Sequence, residues 1–268
     1  MKFRLLFTLA FMLMLAEFAY AAVPADTPRY DIVKLEIKRL KRQRTIRIYL
    51  PPGYSSSHKK FPVIYMQDGQ TAFIKGAYNN ESWYADSLVN LMPPDRRAII
   101  VAIQSGISSA RMQEYNPYTG TSDAAIYAAY VAKDVKTYID TTYRTLKDAK
   151  HTAVAGSAMG GIISTYIAAK YSDIFGVAGI FSPAYWYAQA IYDDMNRQAI
   201  NPRSKFFFAY GDAEHNEHEY VNRMLAILQK KMSRKNTPAP TVIKGGKNDE
   251  KQWRVDFEVF YRWFANQF

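Results

Sequence analysis

The chain has 268 residues, 49% hydrophobic and 22% charged, enough to bury the core of one large domain. It contains no cysteine, which excludes structural disulfides, a thiol nucleophile, thiolate metal sites and a lipid-modified N-terminal cysteine. The formal charge of +11 favours anionic surroundings over cationic ones.

At the N-terminus Lys2 and Arg4 precede an apolar run from Leu5 to Ala16, and Ala19-Tyr20-Ala21 follows as a small-x-small cleavage site. The run is shorter than the roughly 20 residues that span a bilayer, and Glu17 ends it. Residues 1–21 are therefore expected to be a signal peptide and residues 22–268 a single exported domain, periplasmic or secreted.

Two segments, 32–37 and 45–50, alternate apolar with polar residues, the period of a strand with one wet face, and predict an antiparallel hairpin. Lys38, Arg39, Lys41, Arg42 and Arg44 crowd its turn. In an exported chain this run does not imply nucleic acid; it reads as a solvated turn or as a dock for anionic lipid or polysaccharide. From residue 61 the pattern changes to continuous apolar runs at 61–66, 98–103, 152–155, 177–181 and 206–210, as in strands buried on both faces. Helical patterns at 83–91, 124–140, 161–171 and 217–232 separate them, so the expected fold is α/β, with a mostly parallel central sheet and helices on both faces.

A last strand at 240–243 leads into a C-terminal helix whose Trp253, Phe257, Phe260, Tyr261 and Phe264 recur at spacings of three and four, a core-packing stripe and not a cofactor box. No cofactor is implied. His215 and His218 among Glu214, Glu217 and Glu219 have the i, i+3 spacing of a metal pair but no distant third ligand, and read as a solvated helix N-terminus; no metal is expected.

Gly156-Ser157-Ala158-Met159-Gly160-Gly161 lies between a buried strand and a helix, the context of a G-x-S-x-G nucleophile elbow, with Ala158 in place of the central serine. Further signatures are Ile48-Tyr49-Leu50-Pro51-Pro52-Gly53-Tyr54, Pro62-Val63-Ile64-Tyr65-Met66-Gln67-Asp68-Gly69-Gln70, Arg111-Met112-Gln113-Glu114-Tyr115-Asn116-Pro117 and Phe181-Ser182-Pro183-Ala184-Tyr185-Trp186. With these the span from Thr45 to Phe264 resembles the putative-esterase family of α/β-hydrolases, which includes esterase D and siderophore esterases.

The resemblance implies an α/β-hydrolase fold and hydrolysis of a carboxylic ester or thioester through an acyl-enzyme. It places the nucleophile on Ala158 and the catalytic histidine on Asn248, and neither side chain performs that chemistry. It places the acid on Glu214, with Asp212 as the alternative, and the oxyanion donors on Met159, Gly69 and Gln70. Ser157 is the neighbouring hydroxyl that a substitute mechanism would use, although a tight turn directs adjacent side chains differently. Arg111 and Glu114 fall in a loop that borders the cleft, where they hold a substrate carboxylate or pair with each other. Tyr185 and Trp186 are candidates to line a pocket for an aromatic, acyl or sugar group. The expected role is binding of a small ester-like or aromatic ligand, or of a partner, with weak hydrolysis as the alternative.

Overall fold

A computed structural model of the chain describes residues 27–73 and 81–268. The expected signal peptide, residues 1–21, lies outside the described residues. No helix among the described residues is long and apolar enough to cross a membrane.

Eight strands form one sheet: β1 (Arg29–Ile37), β2 (Arg42–Leu50), β3 (Val63–Met66), β4 (Ile99–Ile103), β5 (Thr152–Ser157), β6 (Val177–Phe181), β7 (Lys205–Gly211) and β8 (Thr241–Ile243). Their spatial order is β1-β2-β4-β3-β5-β6-β7-β8. β1 and β2 form the predicted antiparallel hairpin, β2 pairs antiparallel with β4, and every other pairing is parallel.

The continuous apolar runs have a direct cause, since successive strand residues enter different cores. In β4, Ile99, Val101 and Ile103 join one core while Ala98, Ile100 and Ala102 on the same chain segment join the other. The helices are α1 (Ala85–Asn90), α2 (Ser109–Tyr115), α3 (Ala124–Ala129), α4 (Lys136–Thr142), α5 (Met159–Lys170), α6 (Ile191–Arg197), α7 (Glu217–Lys231) and α8 (Glu250–Ala265). α3 runs into α4 through a π-helical segment, Tyr130–Val135. The first core takes Ile163 and Ile167 of α5 and Val221 and Leu228 of α7; the second takes Val89 of α1 and the aromatic stripe Phe257, Phe260, Tyr261 and Phe264 of α8. The stripe is core, as its spacing predicts.

Two helices, α2 and α6, have no counterpart in the sequence reading. Each is seven residues long, fewer than two full repeats of a 3.6-residue pattern, so periodicity cannot mark it.

The basic turn is only partly the solvated feature expected. Lys38, Arg39 and Lys41 are exposed, but Arg44 is buried and donates to both carboxylate oxygens of Glu114. Arg42 Nη1 bonds Glu114 at 3.0 Å and Asp123 at 2.9 Å. A fully buried Glu114 requires such partners, so Arg42 and Arg44 fasten the hairpin to α2 and are not free to meet an anionic surface.

Candidate active-site cleft

The loops that follow β3, β5, β6, β7 and β8 gather at the C-terminal edge of the parallel sheet, where ligands bind in open α/β sheets. Ala158 is the single residue between β5 and α5, at φ 48° and ψ −116°. That conformation costs a residue with a side chain on the order of 1–3 kcal/mol and persists only where its surroundings fix it. Backbone hydrogen bonds do so: Ala158 N–H donates to Phe181 O at 3.0 Å, and Ala158 O accepts from Gly161 at 3.1 Å and Ala184 at 3.1 Å. Gly156 is required two residues earlier, because a Cβ there would lie 2.5 Å from Gly160 O.

Around the elbow is a cleft of about 640 Å³ whose walls include Ser157, Met159, Asp68, Gln70, Trp83 and Trp253. Met159 opens a 12-residue helix, so its N–H has no intrahelical acceptor and faces the positive end of the helix dipole. Asp68, at φ 52°, turns the chain after β3 and brings Gly69 against the backbone of Ala102. The Gln70 side chain is engaged with Ser105, through Nε2 to Oγ at 3.2 Å and Oε1 from N–H at 3.2 Å, which leaves backbone groups as this loop's donors. Ser157 is buried and is among the residues that line the cleft.

Arg111 lies on α2 and not in a loop, and its partner is not Glu114. Its Nε and Nη2 grip the two oxygens of Asp68 at 2.7 and 2.8 Å. Tyr115 Oη accepts from Asp68 N–H at 3.1 Å, so two side chains one helical turn apart clip the loop to the helix. A bidentate arginine in this position shapes the cleft and has its fork already filled.

The acid turn follows β7. Glu214 Oε1 accepts from Ser182 Oγ at 2.6 Å and from Gly211 N–H at 2.7 Å, while its Oε2 is buried and without a partner among the described residues. Asp212 is exposed and accepts from Gly245 N–H at 2.6 Å, a bond that holds the turn after β8. Of the two carboxylates, Glu214 is the one aligned through Ser182 with the strand end that also binds Ala158. Asn248 lines a second cavity, of about 480 Å³, together with Glu214, Glu217, Tyr220, Lys247 and Trp186.

Two residues differ from expectation here. Tyr185 is fully buried with its hydroxyl 2.6 Å from Thr165 Oγ, a core residue and not a pocket wall, whereas its neighbour Trp186 is 55% exposed at the cavity. The segment around Glu217 is only partly a solvated helix start: His215, His218 and Glu219 are exposed, but Glu217 is 2% exposed. Burial, and then the charge of Glu214, push the Glu217 carboxyl up to about 8. Burial likewise raises Glu214, and raises Asp256 to about 7. His215 and His218 are exposed, and the described residues include no group of three or more side chains placed to hold a metal ion.

Sequence reasoning missed Trp83, Trp253 as a cleft residue, and Ser182. Ser182 could have been found, since it directly follows a buried strand in the segment that precedes Trp186; Trp83 heads the predicted 83–91 helix but lies outside α1, which begins at Ala85, so a helical period does not orient it.

Known proteins share this architecture. The uncharacterized protein YbbA of Bacillus subtilis (strain 168) is 23% identical over 197 residues, 67% of this chain and 72% of that one. The enterobactin esterase FES of Shigella flexneri, solved with enterobactin, superposes with a TM-score of 0.72 at 16% identity, over 91% of this chain and 60% of its own. A ferulic acid esterase superposes with a TM-score of 0.67 at 16% identity, over 90% and 99%. At such identities the structural likenesses establish the fold, which is that of an α/β-hydrolase. The model of the family described as Putative esterase matches residues 37–261, and the chain belongs to that family.

Proposed function

We propose that this exported member of the family has ceased to be a working hydrolase and uses its elbow cleft to bind an ester-like or aromatic ligand. The observation that carries this reading is Ala158 itself, a methyl group held at φ 48° in an otherwise complete elbow. Acyl transfer needs an oxygen or sulfur nucleophile there and a base able to take its proton. Ala158 supplies no nucleophile. Asn248 supplies no base, and Glu214 keeps one buried oxygen without the partner that an imidazole N–H would provide. The groups that bind a carbonyl remain, namely the helix-opening Met159 N–H and the Asp68–Gly69–Gln70 turn. Trp83 and Trp253 add flat apolar walls suited to an aromatic ring. Export follows from the N-terminal pattern of Lys2, Arg4, the apolar run and Ala19-Tyr20-Ala21.

The test is quenching of the cleft tryptophans by methyl ferulate, followed by recovery of the ester. Saturable binding with the ester intact is the expected result. Steady conversion to ferulate, or no saturation up to about 10 mM, contradicts the reading.

One observation favours a second reading, residual hydrolysis through Ser157, because Ser157 lines the same cleft as Met159. Its mark is fluorophosphonate labelling that disappears in Ser157→Ala.

A further inference from the structure

The cavity beside the acid turn shares no lining residue with the elbow cleft, and its chemistry is different. In a chain of formal charge +11, it gathers carboxyl groups. Glu214 and Glu217 line it, Glu214 feels the charge of Asp249, and Asp256 in turn feels that of Glu214.

Two carboxyl oxygens at this cavity, Glu214 Oε2 and Glu217 Oε1, are buried with no hydrogen-bond partner among the described residues. Glu217 is 2% exposed although it opens a 15-residue helix whose first turn could have been solvated. A buried carboxyl without a donor costs on the order of 1–3 kcal/mol, more if charged, and proteins rarely keep two side by side without use. The basic groups at the cavity, Lys247 and His215, lie on its exposed rim. Trp186, 55% exposed, and Tyr220 complete the wall with aromatic surface.

We infer that this cavity binds an organic ammonium ligand, whose cationic group is received by Glu214 and Glu217 and whose apolar part lies against Trp186. A primary ammonium brings three donors, enough to give each of the two orphan oxygens a hydrogen bond. The indole and phenol rings favour the adjacent methylene groups and the cation itself. A metal ion fits less well, since the described residues offer no cluster of three or more ligands. Asn248, where the family resemblance places an imidazole, also lines this cavity.

The test is calorimetric titration of the full mature chain with phenethylammonium chloride, beside 3-phenylpropionate as the anionic match. The ammonium is expected to bind with a Kd below about 1 mM and the carboxylate at least tenfold more weakly. Glu217→Gln is expected to weaken the ammonium at least tenfold. Trp186→Ala, at an exposed position where an unchanged melting temperature is expected, should weaken it about fivefold. Asn248→His, which offers Glu214 an internal partner, is expected to abolish it. Equal binding of the two ions, no binding up to about 10 mM, or binding unaffected by all three variants overturns the inference. Methyl ferulate binding in the separate elbow cleft is read independently, so the failure of one proposal leaves the other standing.

Discussion

The elbow follows β5 and the acid turn follows β7, with β6 between them, and the two are held together in different ways. At the elbow the backbone does the holding: Ala158 keeps a strained φ through bonds to Phe181, Gly161 and Ala184, none of which uses its side chain. At the acid turn the functional group is itself a side chain that needs partners: Ser182 Oγ and Gly211 N–H satisfy one oxygen of Glu214, and the other has none among the described residues. A backbone-held site keeps its shape when its side chain changes. A site built from side chains is left with orphan carboxyls, and here they accumulate as Glu214, Glu217 and Asp256.

The largest effect expected of this contrast is on pH dependence. Glu217 moves from 4.5 in the unfolded chain to about 8 when folded, so the native state binds the proton more tightly. Its contribution to stability is fully present below pH 4.5 and is lost as pH rises through about 8. Unfolding free energies from denaturant titration should be lower at pH 9 than at pH 5 by on the order of 3 kcal/mol, and Glu217→Gln should remove much of that difference by raising stability at pH 9. A variant with an unchanged slope would show that the acid turn is better compensated than its geometry indicates.

The next effect belongs to the elbow. Gly156→Ala places a methyl group 2.5 Å from Gly160 O, a backbone atom that cannot step aside, and should destabilise by roughly 2 kcal/mol. The smallest effect is a gain. Ala158→Gly relieves the strained φ of 48° and should stabilise by about 1 kcal/mol in the same denaturation experiment. If Ala158→Gly destabilises instead, the elbow is not under backbone strain.

What the sequence disclosed follows the same division. The parallel strands were legible because each is buried on both faces and reads as an unbroken apolar run, and the elbow was legible because backbone approach demands glycine at 156 and side chains crowd the position of Gly160. The hairpin was legible from its period of two. Side-chain partnerships were not. Arg111 was expected to hold a substrate carboxylate or to pair with Glu114 but grips Asp68, and Arg44 was expected in a solvated turn or an anionic dock but lies buried on Glu114, since pairing across 43 or 70 residues leaves no local pattern. Tyr185 and Trp186 are adjacent and compositionally alike, and only tertiary packing decides that one is core and the other a cavity wall. Glu217 looked like an ordinary acidic helix start, because burial of a helix N-terminus depends on what packs over it.

The central claim, that the scaffold of an esterase persists without its chemistry, is tested most directly by steady-state hydrolysis of 4-nitrophenyl acetate and methyl ferulate. The unmodified chain, Ala158→Ser, Asn248→His and the double variant are compared. The account predicts that the first three are alike and the double variant exceeds them by at least about 10³-fold, because nucleophile and base act as a unit. An unmodified chain that already matches the double variant, or a double variant that folds normally and stays inert, contradicts it.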